Sequence, residues 1–501
     1  MTTLKNSDID TFPLTLKPCW TNDRMISTRL TLSVLTAIAG AVISTARGAG
    51  GGTFSSGEVT FTRDVAPILF KHCAECHRPN DAAPFSVLTY KDVRPWARSI
   101  REKVLTREMP PWHADQRYGD FRNDARLSQK EIDTIVTWVD QGAAEGNPKH
   151  LPPVPEYIDG WTIGTPDQIF SMADEHTIEP GAPDDYFVFT IPTRFKEDKW
   201  VQAAEIRPSN RRVVHHAIAH ILTPQTIARS KQGSDRPAAK TPAANSEDEP
   251  NIFYRQGSLS RVKIGAPVVD DGARAINGGS LFKRSASAQG SDLFSILLTS
   301  YAPGKGPDVY GRGMAKRVPA GSVIVLQIHY SSFRGSLDKP AKDRTSVGLI
   351  FASEPPANRV VTLTVPNHFF KIPPGADNHE VTASYTFEED VRLISYMPHM
   401  HLRGKDMKYE VLYADGRRET LLWVPSFNFN WQATYYLQTP IPILKGTKAI
   451  ITAHFDNSAR NKYNPDPNKA VRWGDPTYDE MMIGWMEYIV PNTSRNEIRT
   501  K

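Results

Sequence analysis

From about residue 157 to residue 491 the sequence keeps returning to one pattern, a short strand-like run followed by a turn signal. Val323-Ile324-Val325-Leu326-Gln327-Ile328-His329, Val391-Arg392-Leu393-Ile394-Ser395-Tyr396 and Ala449-Ile450-Ile451-Thr452-Ala453-His454 are such runs. Pro319-Ala320-Gly321, Pro373-Pro374-Gly375 and Asp415-Gly416 separate them. Side chains on a strand point alternately to two faces, so many short runs at this spacing indicate β-sandwiches rather than helical layers. The 32 glycines and 39 prolines among 501 residues favour the same reading, because both interrupt long helices. This length exceeds what one core supports, so several domains are expected. A net charge of +5 is too small and too dispersed to argue for a nucleic-acid partner. With only three cysteines, Cys19, Cys73 and Cys76, a disulfide-stapled scaffold is excluded.

The N-terminus reads as a leader. Leu30 to Ala46 is an uncharged run of 17 residues that ends on Ser44-Thr45-Ala46 before Arg47, with Arg24 and Arg29 upstream. A membrane-spanning helix needs about 20 strongly apolar residues. A leader over residues 1–50, removed on export to the periplasm, therefore fits better than an uncleaved anchor facing the same side. A start at Met25 would make that leader compact, and Cys19 would leave with it.

Cys73-Ala74-Glu75-Cys76-His77 is the sharpest local motif. Two thiols at this spacing can form thioethers to haem vinyl groups, and the following histidine can bind the iron. A zinc site would need two further ligands at matching spacing, and there is no second Cys-x-x-Cys. A thioredoxin-like pair would need a βαβ setting, whereas the surroundings read as helical. Phe61 to His72 has the pattern of a helix, with Asp64 as a cap and Pro67 in its first turn. Ser128-Gln129-Lys130-Glu131 is a capping box that opens Ile132 to Gln141, with Ile132, Ile135, Val136 and Val139 as its apolar stripe.

Helices around such a motif resemble a class I cytochrome c domain, here over residues 54–150. That resemblance implies one covalent haem c, fed by an external electron donor, with a second axial ligand on a proline-rich loop. Met109 in Met109-Pro110-Pro111-Trp112 lies 32 residues past His77 and matches that placement. His113 is the rival ligand, and core packing is the plain alternative for Met109. The proline-rich stretch Asn147 to Glu156 leads into a stiff linker, placed at 151–159.

The histidines of the β-rich part form a pattern. His399-Met400-His401 puts two imidazoles on one face of a strand, a spacing suited to one metal ion. His215-His216 could share an ion only at a strand end or a bulge, because neighbouring side chains point to opposite faces. His329 closes an apolar strand. His220, His368, His379 and His454 are read as structural.

In order and setting these segments resemble the copper type II, ascorbate-dependent monooxygenases, the family of peptidylglycine α-hydroxylating monooxygenase and dopamine β-monooxygenase. The carrying motifs are the His215-His216 pair, Tyr301-Ala302-Pro303-Gly304, Leu326-Gln327-Ile328-His329-Tyr330, His399-Met400-His401, Leu402-Arg403-Gly404-Lys405 and Asp479-Glu480-Met481. The resemblance implies two jelly-roll-like β-sandwiches, at 160–352 and 353–492, each holding one copper. His215, His216 and His329 would bind the first ion, which stores an electron. His399, His401 and Met481 would bind the second, where O2 attacks a C–H bond of a small organic substrate.

Two departures bear on that substrate. Where the peptide-amidating relatives hold a substrate carboxylate with an Arg and a Tyr, this chain has Met397 and Trp485. With Tyr396, these point to an apolar or aromatic compound instead of a C-terminal glycine. The relatives' disulfides are also absent, so packing must hold the sandwiches. Residues 223–292, rich in Ala, Ser, Gly, Lys and Asp, read as a mobile surface insertion. The expected architecture is thus a small all-α cytochrome c domain followed by two all-β copper domains.

Overall fold

The computed structural model describes residues 57–492 apart from 80, 82, 158–159, 183–184, 229–273, 276–295, 331–336 and 475. The leader at 1–50 and most of the insertion at 223–292 lie outside the described residues. The described chain is mostly β-sheet with few helices.

The helices come first. Phe61–Val65 forms a π-helical turn that runs on into the α-helix Ala66–His72, with Pro67 in its first turn. Asp64 closes the start from inside, accepting the Thr60 N–H at 2.8 Å. The capping box forms at Ser128 and Glu131, and its helix spans Gln129–Asp140, opening earlier than the apolar pattern alone places it. The buried stripe differs from the expected one. Ile132, Ile135 and Trp138 are buried, while Val136 and Val139 pack only partly against the same cluster. Trp138 takes the centre because its large ring can be buried once Nε1–H has an acceptor, the Ala144 carbonyl at 2.8 Å.

Two sandwich cores follow, and one sheet serves both. Its main path runs Gln168–Ser171, Ser346–Phe351, Lys199–Arg207, Met314–Val318, Asn358–Pro366, Ile483–Pro491, Val391–His399 and Tyr435–Ile443. The halves meet at a parallel pairing of Asn358 with Met314 and Val360 with Lys316. Over the first half packs the sheet ordered 274–275, Asp185–Pro192, Val323–Tyr330, Val214–Leu222, Ile296–Tyr301. Over the second half packs the sheet His379–Thr386, Lys448–Phe455, Gly404–Leu412, Arg418–Val424. Ile206, Val214, Leu298, Leu326 and Leu349 belong to the first core; Leu393, Tyr409, Leu422, Ile451 and Met486 belong to the second.

The segment after Met109 leaves the helical cluster. Trp112 and Phe121 pack on Tyr435 with ring centroids 4.9 and 5.5 Å away, inside the second sandwich core. Asp115 N–H donates to the Trp423 carbonyl at 2.8 Å, and the backbone of His113 hydrogen-bonds Tyr435. The aromatic side chains of this stretch find their largest apolar partner there, which ties the loop bearing Met109 and His113 to the second sandwich.

Candidate metal centres

The strand Val214–Leu222 lies between Val323–Tyr330 and Ile296–Tyr301. Its register places His216 opposite His329 and then Val214 opposite Tyr330. His215 is therefore the extra residue of a β-bulge, and the bulge turns two neighbouring imidazoles toward one point. Their Nδ1 atoms are 3.1 Å apart. His215, His216 and His329 each offer a ring nitrogen within 4.8 Å of the others, and all three are buried. Burial and the neighbouring imidazoles hold His216 well below the usual histidine range, so it is neutral at pH 7. The His329 ring stacks on Tyr186 at 4.3 Å.

The second pair sits at the end of Val391–His399. His401 lies beyond the strand, and Met400 between the two histidines is buried in the second core. The imidazoles therefore share the opposite side, with centroids 5.3 Å apart. Gln432 Oε1 engages His399 Nδ1, which leaves Nε2 as the nitrogen a metal could take. His401 Nδ1 faces the Asp479 carbonyl at 3.3 Å. Glu480 is buried behind the pair and accepts the His401 and Arg403 N–H groups at 2.9 and 2.8 Å. Burial raises its carboxyl to about 8, against the pull of these backbone donors.

Glycine at 404 fits a close approach. A Cβ there would lie 2.7 Å from Met400 Cβ and 2.9 Å from Phe427, too close for any side chain. The tight approach holds the turn after the His-x-His pair. Met481 clusters with Met397, Ile483 and Trp485, whereas Met482 and Met486 face the second core.

One cavity lies between the two histidine sets. His216 lines it from the first sandwich, and His399, His401 and Met481 line it from the second. His220 and His368, read from sequence as structural, also line it. His454 instead pairs with Asp406 at 2.9 Å and Glu380 at 3.4 Å.

A loop that sequence reasoning passed over joins the two sets. Asn430 Oδ1 engages His215 Nε2 at 3.1 Å, and Gln432 engages His399. Phe429 stacks on His215 at 5.2 Å and lies 6.0 Å from His401. No motif or spacing announces these contacts, because Asn430 is 215 residues from its partner.

At the other end, the Cys73–His77 loop packs on the helical cluster. His77 Nδ1 engages the Phe85 carbonyl at 3.1 Å, leaving Nε2 as the nitrogen a metal could take. Burial pushes the thiols up, to about 12 at Cys73 and about 11 at Cys76, so both are protonated. Among the described residues, these cysteines join no cluster of three metal-binding side chains. Asp81 pairs with Arg78 at 2.8 Å and with Arg211 at 2.9 Å. Arg211 stands four residues before His215. Cys76 and Tyr301 line a common cavity of about 620 Å³.

Comparison with known proteins bears on the second site. Residues 360–498 match the copper type II ascorbate-dependent monooxygenase, C-terminal domain. That span contains His399, His401, Met481 and the Phe429–Gln432 loop. A human protein named "Putative DBH-like monooxygenase protein 2" is 24% identical over 197 residues, covering 36% of this chain and 37% of its own length. Among solved structures, a Paenibacillus xanthan lyase is 11% identical, covers 70% of this chain and 28% of that one, and has a TM-score of 0.15. An infectious bursal disease virus structure is 9% identical, covers 65% and 72%, and has a TM-score of 0.16. Neither structural likeness carries an argument.

Proposed function

We propose that this chain is an exported, O2-dependent copper monooxygenase that hydroxylates a C–H bond, with a covalent haem in its N-terminal segment as electron donor. The observation that carries the proposal is the convergence of two histidine sets on one cavity. One set has three imidazoles; the other has two, and the Met481 thioether lines the same cavity. The donor chemistry fits copper, since neutral imidazole suits both oxidation states and a thioether favours the reduced one. Copper held by His399, His401 and Met481 would supply O2 activation, and copper held by His215, His216 and His329 would supply the second electron.

The chain's own residues do the rest. Gln432 and Asn430 orient one histidine in each set. Glu480 fixes the backbone of the His-x-His turn through His401 and Arg403. Ile218, Ile483 and Trp485 give the shared cavity apolar walls. The Cys73, Cys76 and His77 donors suit one covalent haem, which would deliver single electrons; Met109 is the proposed second axial ligand, with His113 its rival. In the net reaction, one atom of O2 enters the C–H bond and the other leaves as water, with two electrons and two protons supplied.

Rapid mixing of the reduced, haem-loaded protein with O2 tests the reading. Haem oxidation should require copper, and O2 uptake should rise with a substrate. Haem that stays reduced with copper present would remove it as donor. Uptake that no candidate compound stimulates would favour an electron-transfer or copper-binding module instead.

A further inference from the structure

The cavity between the histidine sets differs from its neighbours in charge. Its walls include Ile218, Ile483, Met481, Pro366, Trp473 and Trp485, and no Asp, Glu, Lys or Arg is among the described residues that line it. The adjoining cavity of about 300 Å³ is lined by Lys305, Asp308, Lys316 and Glu487. The one beside Cys76 is lined by Glu75, Arg78, Asp81, Glu205 and Arg211. Ionised groups thus lie close by and stop short of this cavity.

Trp485 forms the partition. It lines both the large cavity and the charged one behind it. Its Nε1–H donates to Thr364 Oγ1 at 3.1 Å, and its ring lies 5.2 Å from His399. With Ile218, Met481 and Ile483 it forms an apolar cluster on the cavity wall. Besides His216, His368, His399 and His401, the polar groups on the walls are the hydrogen-bonding ones Gln327, Thr364, Tyr186 and His220. Burial holds His220 at about 4, so it too is uncharged at pH 7.

A carboxylate seated against these walls would lose its water and meet no cationic side chain, and an ammonium would meet no carboxylate. Either loss is severe in a site walled by apolar side chains.

We infer that the substrate is an uncharged molecule with an aromatic or alicyclic body and a hydrogen-bonding group, seated against Trp485, Trp473, Ile218 and Ile483. This rests on the cavity being the oxidation site of the proposed monooxygenase. It separates the chain from any hydroxylase that grips a carboxylate or an ammonium.

Titration calorimetry of the full chain, with and without copper, tests it using 2-phenylethanol, phenylacetate and 2-phenylethylammonium at pH 7. These probes share one body and differ in head group. The alcohol should bind at least tenfold more tightly than either ion. Thr364→Lys should raise phenylacetate affinity at least tenfold and weaken the ammonium. An ion that matches the alcohol on the unaltered protein, or no binding by any of the three, overturns the inference whatever the variant does. Binding of the alcohol without copper-dependent O2 uptake leaves the inference standing and removes the monooxygenase reading.

Discussion

His215 owes its position to a bulge and its orientation to Asn430, and His399 depends on Gln432 in the same way. A ring whose second nitrogen has a partner presents the first in one tautomer and one direction. Gln432→Leu should therefore weaken copper binding at the second site by about 10- to 100-fold and leave the first unchanged. Anaerobic copper titration resolves the two, and an equal loss at both sites would contradict the assignment. His220 adds a pH dependence. Burial, then the nearby Lys316 charge, lowers its imidazole from 6.5 to about 4. Between those values the unfolded chain binds a proton that the folded chain refuses. Its stability contribution is full above pH 6.5 and is lost as pH falls toward 4. In urea unfolding of metal-free protein, His220→Gln should remove roughly 2 kcal/mol of the stability lost between pH 7 and pH 5. An unchanged slope would show that His220 titrates normally.

Among the elements, those specified within a few residues were legible. The capping box at Ser128–Glu131 is local chemistry, and the His399/His401 face follows from a period of two. Other features depend on partners far away in sequence. Whether His215 and His216 could meet turned on a bulge, and the bulge exists only in the register with His329. Trp138 displaced Val136 and Val139 from the stripe because an acceptor at Ala144 let the larger ring go under. The Phe429–Gln432 loop reaches its partners only through folding of the whole chain. Gly404 offers a test at this scale. Gly404→Ala must push Met400 or Phe427 aside, at a cost of about 1–3 kcal/mol. Because Met400 sits between the two histidines, copper binding at the proposed second site should weaken in parallel. Thermal unfolding together with copper titration would show it, and loss of stability with copper affinity intact would argue against the coupling.

At the scale of the whole molecule, the two sandwiches share a sheet, and a buried ion pair crosses between its halves. Lys316 Nζ lies 2.7 Å from Glu487, which also accepts from Tyr310 at 2.9 Å and Ser395 at 3.1 Å. A parallel pairing that joins the halves has no sequence signature, so the reading of two separate sandwiches could not contain it. Lys316→Met would leave Glu487 buried without its cation, and should destabilise the protein by about 3–5 kcal/mol. A loss below about 1 kcal/mol in denaturant unfolding would mean that the pair does little.

The shared frame also holds the two histidine sets across one cavity, so their metal content can be read site by site. Copper analysis of the unaltered protein and two variants tests the central claim most directly. Two coppers per chain in the unaltered protein, and one in each of His329→Ala and His399→Ala, are expected. Copper content that neither substitution changes would contradict it.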